Sequence, residues 1–291
     1  MADVLILNYV DYETTQELVD RIKNYKNIEH ICIVDNASPN ESFAKLQKNN
    51  SEKVFVIQAP ENGGYGYGNN CGIRFLFENV KSKHILLCNP DVIFENEIVE
   101  QLETFLTDNT SYAIAAPFML DKNGNKQKNT AFKIGNLFNY IMSFGMLYSK
   151  LFKPGEYTSI TENNSKFIDV DAVAGSLFMF DAKKIVEKAM FDEKVFLYCE
   201  ERMLGMKCQN AGYKIALLPQ STFIHNHSVS ISKTLGTEVK KRKVMNKSAM
   251  YVIREYYKAN NLEILFANLM MTISILEMKI LEILKEKRRK R

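Results

Sequence analysis

Up to residue 92 the chain alternates between unbroken apolar runs and segments whose apolar residues recur at helical spacing. "VLILNYV" (4–10), "ICIVD" (31–35), "KVFVI" (53–57) and "HILLC" (84–88) have strand length and few polar interruptions, the pattern of strands covered on both faces. Between them, "YETTQELVDRIKNY" (12–25), "SFAKLQKN" (42–49) and "NCGIRFLFENV" (70–80) place apolar residues on one helical face. The order β-α-β-α-β-α-β predicts an α/β fold, a doubly wound and mostly parallel sheet flanked by helices. Ligands of such sheets bind beyond the carboxyl ends of the strands.

Those ends read "NYVDY" (8–12), "DNASPN" (35–40), "PENGGYGYGNN" (60–70) and "NPD" (89–91). Gly64, Gly66 and Gly68 alternate in the third, but a dinucleotide fingerprint belongs after the first strand and needs a later third glycine. The residues leave open a turn with positive φ or a loop that cradles a ligand. Asp91 follows a buried strand and Pro90. By residue type it is a turn or N-cap aspartate, and by position a carboxylate able to take a divalent cation that neutralises a diphosphate.

Farther along, "FDEKVFLYCEERMLGMKCQNAGYKIALLPQSTFIHNHSVS" (191–230) contains a helical segment opened by Glu200 and Glu201 and closed at Gly212. Acids suit the first turn of a helix, and two adjacent carboxylates also raise one another's pKa, as a general base requires. The strand "YKIALLP" then leads to His225 and His227. At most one of the two histidines is expected to point into the site. The stretch 121–130 reads as a polar turn, and 132–152, rich in aromatics and Met, as helix core or the lining of an acceptor or lipid groove.

Composition narrows the classes. The chain has 291 residues, 46% of them hydrophobic, enough for one large domain or two small ones. The formal charge is 38 − 34 = +4, and "KEKRRKR" (285–291) alone contributes +5, leaving the body at −1. A globally basic nucleic-acid binder is excluded on that balance, and no nucleic acid is expected as a partner. Five cysteines without a C-x-x-C pair read as reduced thiols of a cytoplasmic protein. The start "MADVLILNYV" lacks the basic n-region of a secretion signal.

Near the carboxyl end Leu262, Phe266, Leu269, Ile273, Leu276, Ile280 and Ile283 form a heptad seam, interrupted beside it by Glu277, Lys279 and Glu282. The run is expected to fall short of a spanning helix. Followed by a basic cluster, it suits an anionic membrane surface, a homo-oligomer seam, or packing on its own domain.

In their order along the chain, "IVDNASPNES" (33–42), "ENGGYGYGNNCGI" (61–73), "LLCNPDV" (86–92), "VDAVAGSLFMF" (170–180), "FDEKVFLYCEE" (191–201), "NAGYKI" (210–215) and "HNHSVS" (225–230) resemble the inverting GT-A-type glycosyltransferases, the large family that includes bacterial rhamnosyltransferase-like, polysaccharide-building enzymes. The resemblance implies a glycosyltransferase domain over 1–230, with a nucleotide-sugar-binding half (1–92) and an acceptor and catalytic half (93–230), then a helical extension (231–291). It implies that Asp35 contacts the nucleotide base, with Asn8, Asn36, Asn62, Gly64 and Asn70 around the same donor. Asn89 and Asp91 stand at the metal-binding motif, Asn89 replacing an acid. His227 would be the later metal-site histidine, for Mg²⁺ or Mn²⁺. Glu200 and Glu201 stand at the family's Glu-Asp pair, whose second member is the base. The partners implied are a nucleoside-diphosphate sugar and a glycan acceptor, lipid-linked or at the cell surface. The expected location is cytoplasmic, peripheral at the inner face of the cell membrane. A catalytically weak nucleotide-sugar-binding scaffold is the alternative.

Overall fold

The computed structural model describes residues 1–157, 160–162, 165–226 and 237–289, with side chains for all of these except 162 and 284–289. Strands β1 (Ala2–Asn8), β2 (Ile28–Asp35), β3 (Val54–Gln58) and β4 (His84–Cys88) pair in parallel in the spatial order β3-β2-β1-β4. Their register sets Asn8 opposite Asp35 and Asp35 opposite Gln58, so three polar residues align at the carboxyl ends. The helices between them are α1 (Tyr12–Ile22), α2 (Ser42–Leu46) and α3 (Tyr65–Phe75).

After β4 come β5 (Val92–Ile93), α4 (Asn96–Asp108), β6 (Tyr112–Leu120), β7 (Ala131–Phe132), α5 (Leu137–Met142), α6 (Met146–Phe152), β8 (Ile168–Val170), β9 (Ala172–Val173), β10 (Leu177–Asp181), α7 (Ala182–Lys184), α8 (Glu200–Asn210) and β11 (Lys214–His225). β10 lies antiparallel between β4 and β6, β11 lies parallel to β6, and β5 and β8 lie antiparallel along β11. The sheet of nine strands is therefore mostly parallel. β7 and β9 form a separate pair.

Side chains alternate between the faces, as the pleat requires. Ile6, Ile33 and Leu86 pack on one face with Leu18 and Val99, while Leu5, Cys32 and Leu87 pack on the other with Ile73 and Leu204. All are buried, and each such aliphatic side chain contributes about 1.5–3 kcal/mol by leaving water.

Two boundaries differ from the sequence reading. β1 ends at Asn8 rather than Val10, because Val10 takes a φ of 55°, a left-handed conformation costly for a β-branched residue. α3 begins at Tyr65 rather than Asn70, so most of the glycine-rich stretch is helix. Proximity explains those glycines: a Cβ on Gly72 would lie 2.2 Å from Leu5 Cδ1, and one on Gly68 2.5 Å from Leu7 Cδ1. The helix packs so close to β1 that a Cβ at either position would displace these leucine side chains.

Among the described residues two helices follow β11, a penultimate one (Glu238–Glu255) and a terminal one (Asn261–Arg289). Ala249, Val252 and Ile253 of the first join Ala267 and Met271 of the second, with Tyr140 and Ile141 of α5 and Met203 of α8, in a further core cluster. Part of 132–152 is thus core, while Leu147, Leu151 and Phe152 of α6 are exposed. The terminal helix buries Ala267, Met271 and Ser274, not the heptad seam, of which Leu262, Leu269, Leu276, Ile280 and Ile283 stay more than half exposed. Its segment Asn261–Ile283, 23 residues that include an 18-residue window with a mean hydropathy of 1.7, is long and apolar enough to cross a membrane by length and composition. The expectation that this run is too short is corrected: the leucines, isoleucines and methionines around Glu277 and Lys279 are numerous enough to keep an 18-residue window strongly apolar despite those two charges.

Candidate active site

The strand ends surround a cavity of about 480 Å³. Asn8, Asn36, Asn62, Gly64, Asn89, Asp91, Glu200 and Glu201, all singled out from the sequence, line it. Tyr65, Gly175, Ser176, Phe196 and His225 join them.

The donor side is a chain of amides. Asn8, buried at the end of β1, donates from Nδ2 to Asp35 Oδ1 (2.8 Å) and accepts from Thr15 Oγ1 (2.9 Å). Asn36 donates from Nδ2 to Asn62 Oδ1 (3.0 Å) and the Gly64 carbonyl (3.1 Å), while its own Oδ1 is buried without a hydrogen-bond partner. A buried acceptor in that state costs free energy until a donor arrives. Gly64 has φ +95° and its absent Cβ would meet the Phe196 carbonyl oxygen at 2.0 Å. Tyr65 N–H donates to that same carbonyl at 3.0 Å, which fixes the 191–199 segment over the start of α3.

Asp35 and Asn70 lie behind the wall, not in it. Asp35 is fully buried and accepts from Asn8 Nδ2, Ser38 N–H (2.9 Å) and Gln58 Nε2 (3.4 Å). Both its oxygens are engaged in holding the loop ends. Asn70 exchanges hydrogen bonds with the Phe191 backbone and donates to Glu193 Oε1 at 2.7 Å, tying α3 to the 191–199 segment.

Asp91 follows β4 through Asn89 and Pro90, and Asn89 N–H donates to the Ser176 carbonyl at 2.8 Å. His225 Nε2 lies 3.2 Å from Asp91 Oδ1, both side chains 12% exposed. The register of β11 against β5, His225 opposite Val92, brings the histidine there. His227, the residue expected at the metal site, lies outside the described residues. Alternation alone could not choose between the two histidines, and His225 was the one it left unassigned. A carboxylate beside an imidazole fits a hard divalent cation that completes its shell with phosphate oxygens and water. Among the described residues one group of three potential ligands clusters tightly, Asp3, Glu29 and His30, but it sits at the opposite ends of β1 and β2 from the cavity.

Across the cavity, Tyr198 and Cys199 have φ of 73° and 72°, two consecutive non-glycine residues in the left-handed region. Strain of this kind persists where surrounding contacts enforce it. Here Ser248 Oγ donates to the Leu197 carbonyl (2.7 Å), Tyr140 Oη lies 3.4 Å from Cys199 Sγ, and Tyr251 and Tyr256 donate to Asp192 Oδ2 (3.1 and 2.7 Å). The bend delivers Glu200 and Glu201 at the start of α8. Glu200 is 3% exposed, and its Oε1 has no hydrogen-bond partner. Burial, and then the charge of Glu201, push its carboxyl up to about 8. Burial also raises Glu201, whose Oε1 accepts from Gly175 N–H at 3.2 Å. Tyr65 Oη donates to the Gly175 carbonyl at 2.7 Å, so one residue, Gly175, links the two sides of the cavity.

A mostly parallel sheet with a carboxylate after β4 and a carboxylate pair at the head of α8, both facing one cavity at the strand ends, defines a glycosyltransferase of GT-A type. The chain belongs to glycosyl transferase family 2, whose model matches residues 3–181. It is 26% identical over 229 residues to the low-salt glycan biosynthesis hexosyltransferase Agl10 of Haloferax volcanii, covering 79% of this chain and 69% of that protein. It is 24% identical over 233 residues to the dTDP-rhamnosyl transferase RfbF of Shigella flexneri, covering 80% and 69%. In fold it is similar to the mannosyltransferase PcManGT of Pyrobaculum calidifontis in complex with GDP-Man and Mn²⁺ (TM-score 0.58, 10% identity, 95% and 71% covered). It is also similar to GalNAc-T7 with UDP, GalNAc and Mn²⁺ (TM-score 0.62, 14% identity), covering 88% of this chain and about half, 48%, of that one.

Proposed function

We propose that the protein is an inverting glycosyltransferase that moves a hexosyl or rhamnosyl group from a nucleoside-diphosphate sugar to an acceptor hydroxyl. The observation that carries this reading is that Asp91 and the Glu200–Glu201 pair line the same cavity. Asp91, with His225 beside it, would hold Mg²⁺ or Mn²⁺, which would supply positive charge for a departing diphosphate. The donor lies along Asn8, Asn36 and Asn62, where the unpartnered Oδ1 of Asn36 accepts from a donor group of the nucleotide.

Glu201, oriented by Gly175 N–H, accepts the proton of the acceptor hydroxyl. The hydroxyl oxygen forms its bond to the anomeric carbon as the bond to the diphosphate oxygen breaks, and the diphosphate leaves with the electron pair. Attack from the face opposite the leaving group inverts the configuration. Glu200 holds a proton near neutral pH, because two carboxylates in a dry site do not ionise together.

The acceptor is a glycan presented at an anionic membrane surface. This reading is supported by the exposed leucine and isoleucine edge of the terminal helix and by the basic cluster 285–291. The helix lies along the surface rather than crossing, since crossing would strip Ala267, Met271 and Ser274 from the core they are buried in.

The test is a panel of UDP-, dTDP- and GDP-sugars with a lipid-linked acceptor, the product's anomeric configuration being read by NMR. Transfer with inversion from one donor supports the reading. Transfer with retention contradicts the mechanism, and donor binding without turnover shows a scaffold.

A further inference from the structure

The penultimate helix carries a row of bases that the catalytic reading does not use. Lys240, Lys243, Lys247 and Arg254 are exposed, and their spacing of three, four and seven residues puts them on one face. Among the described residues none of the four forms an ion pair, although Lys241 and Lys258 nearby do. Between this helix and the terminal one runs a groove of about 520 Å³. Lys247, Arg254 and Glu255 stand on one wall with Met250, the Glu255 charge being paired with Lys258 at 3.8 Å, and Met271 and Ile275 form the other. Asn246, 7% exposed, donates to the Met271 carbonyl, and its Oδ1 is the acceptor in this groove wall left without a protein donor.

Past the second wall, Leu262, Leu265, Leu269, Leu276, Ile280 and Ile283 are all more than half exposed and fall within a narrow arc of the helix. Phe138, stacked on Phe266, and Leu147, Leu151 and Phe152 of α6 extend the apolar area, since Met146 N–H donates to Glu277 of the terminal helix at 3.0 Å. Of the thirteen large hydrophobic side chains exposed among the described residues, ten belong to this face, and three (Met1, Phe167 and Phe196) lie elsewhere. Scattered exposure is ordinary, whereas a contiguous apolar area is an interaction surface.

We infer that the groove between the two carboxyl-terminal helices takes the phosphate-bearing headgroup of an anionic lipid, whose chains lie along the exposed edge of the terminal helix. The inference rests on the membrane-surface reading above and makes it specific. Charge complementarity selects the occupant: an unpaired row of cations calls for a polyanionic surface, and the apolar strip beside it calls for hydrocarbon. Both are offered side by side by the interface of an anionic bilayer.

The experiment is co-sedimentation of the full chain with vesicles of phosphatidylcholine, with and without phosphatidylglycerol, read beside nucleotide release in a vesicle-free assay. Binding to the anionic vesicles is expected, and Lys247→Gln/Arg254→Gln is expected to weaken it on the order of 30-fold, two charges' worth at such a surface. Leu269→Gln/Ile280→Gln is expected to weaken it comparably, and nucleotide release is expected to stay unchanged in both. Circular dichroism melts confirm that the exposed substitutions leave the fold in place. Vesicle binding indifferent to Lys247 and Arg254 overturns the groove. Inorganic phosphate protecting the fold while vesicles are ignored assigns the groove to a free anion. A self-associating chain that Leu269→Gln/Ile280→Gln turns monomeric, without vesicle binding, assigns the edge to a second copy. Absence of nucleotide release alongside charge-dependent vesicle binding contradicts the enzymatic reading and leaves this one standing.

Discussion

Glu201 Oε1 lies 3.2 Å from the amide nitrogen of Gly175, and a Cβ added to that glycine would sit 2.8 Å from the same oxygen and 3.2 Å from Tyr65 Oη. The proposed base is therefore aimed by a residue with no side chain. Gly175→Ala is expected to push the carboxylate off its donor and lower turnover by about 10²-fold, the usual cost of misplacing a reacting group by about an ångström. Melting temperature should change little. Near-normal turnover in this variant means that Glu201 is not held where the acceptor needs it.

Glu200 makes stability depend on pH. Its carboxyl is raised from 4.5 to about 8 by burial and by the charge of Glu201. Between those values the folded chain keeps a proton that the unfolded chain releases. The contribution is fully present below about pH 4.5 and is lost as pH rises through about 8. The melting temperature of the wild-type chain should accordingly fall between about pH 5 and about pH 9 more steeply than that of Glu200→Gln, which carries no titrating group there. Parallel pH profiles for the two proteins would show that Glu200 is ionised at neutral pH.

The parallel half of the sheet was legible because its strands are unbroken apolar runs, as at Ile31–Asp35 and His84–Cys88. Of the polar residues closing those runs, Asn8, Asn36, Asn62 and Asn89 line one cavity, since register aligns the strand ends in space. The rest depended on information that period and composition do not carry. Gly68 read as loop because helix propensity disfavours glycine, while the deciding term is its close approach to β1. Asp35 and Asn70 read as ligand contacts, but hydrogen bonds to residues distant in sequence turn them inward. That His225 stands beside Asp91 depends on the pairing of β11 with β5, which period and composition do not reveal. The heptad seam was visible, but not that Ala267, Met271 and Ser274, rather than the seam, would be the buried face.

The two histidines give a third expectation. His225→Ala should raise the divalent-cation concentration for half-maximal nucleotide release by about 10- to 100-fold, the range seen when a group supporting a metal site is lost. A shift produced by His227→Ala instead would make His227 the ligand and leave His225 as the partner of Asp91.

Tyr251 and Tyr256 tie the penultimate helix to the strained segment that delivers Glu200 and Glu201, both through Asp192 Oδ2. Hydrogen bonds to a charged group are worth about 1.5–3 kcal/mol each. Tyr251→Phe/Tyr256→Phe should lower stability by a few such kcal/mol and reduce kcat more than it raises the donor's KM, because the loosened segment carries the base rather than the donor site. A change confined to KM would place Asp192 with the donor.

The central claim is that Asp91 and Glu201 act on opposite ends of one displacement. It is tested most directly by the rate of nucleotide release from the preferred donor in the presence of acceptor, with Mg²⁺ or Mn²⁺ supplied, for the wild-type chain, Asp91→Asn and Glu201→Gln. Cation-dependent release is expected from the wild type. Each variant should lose orders of magnitude of that rate, and Glu201→Gln should still bind the donor. Wild-type rates in Asp91→Asn, or an inactive Glu200→Gln beside an active Glu201→Gln, would contradict the account.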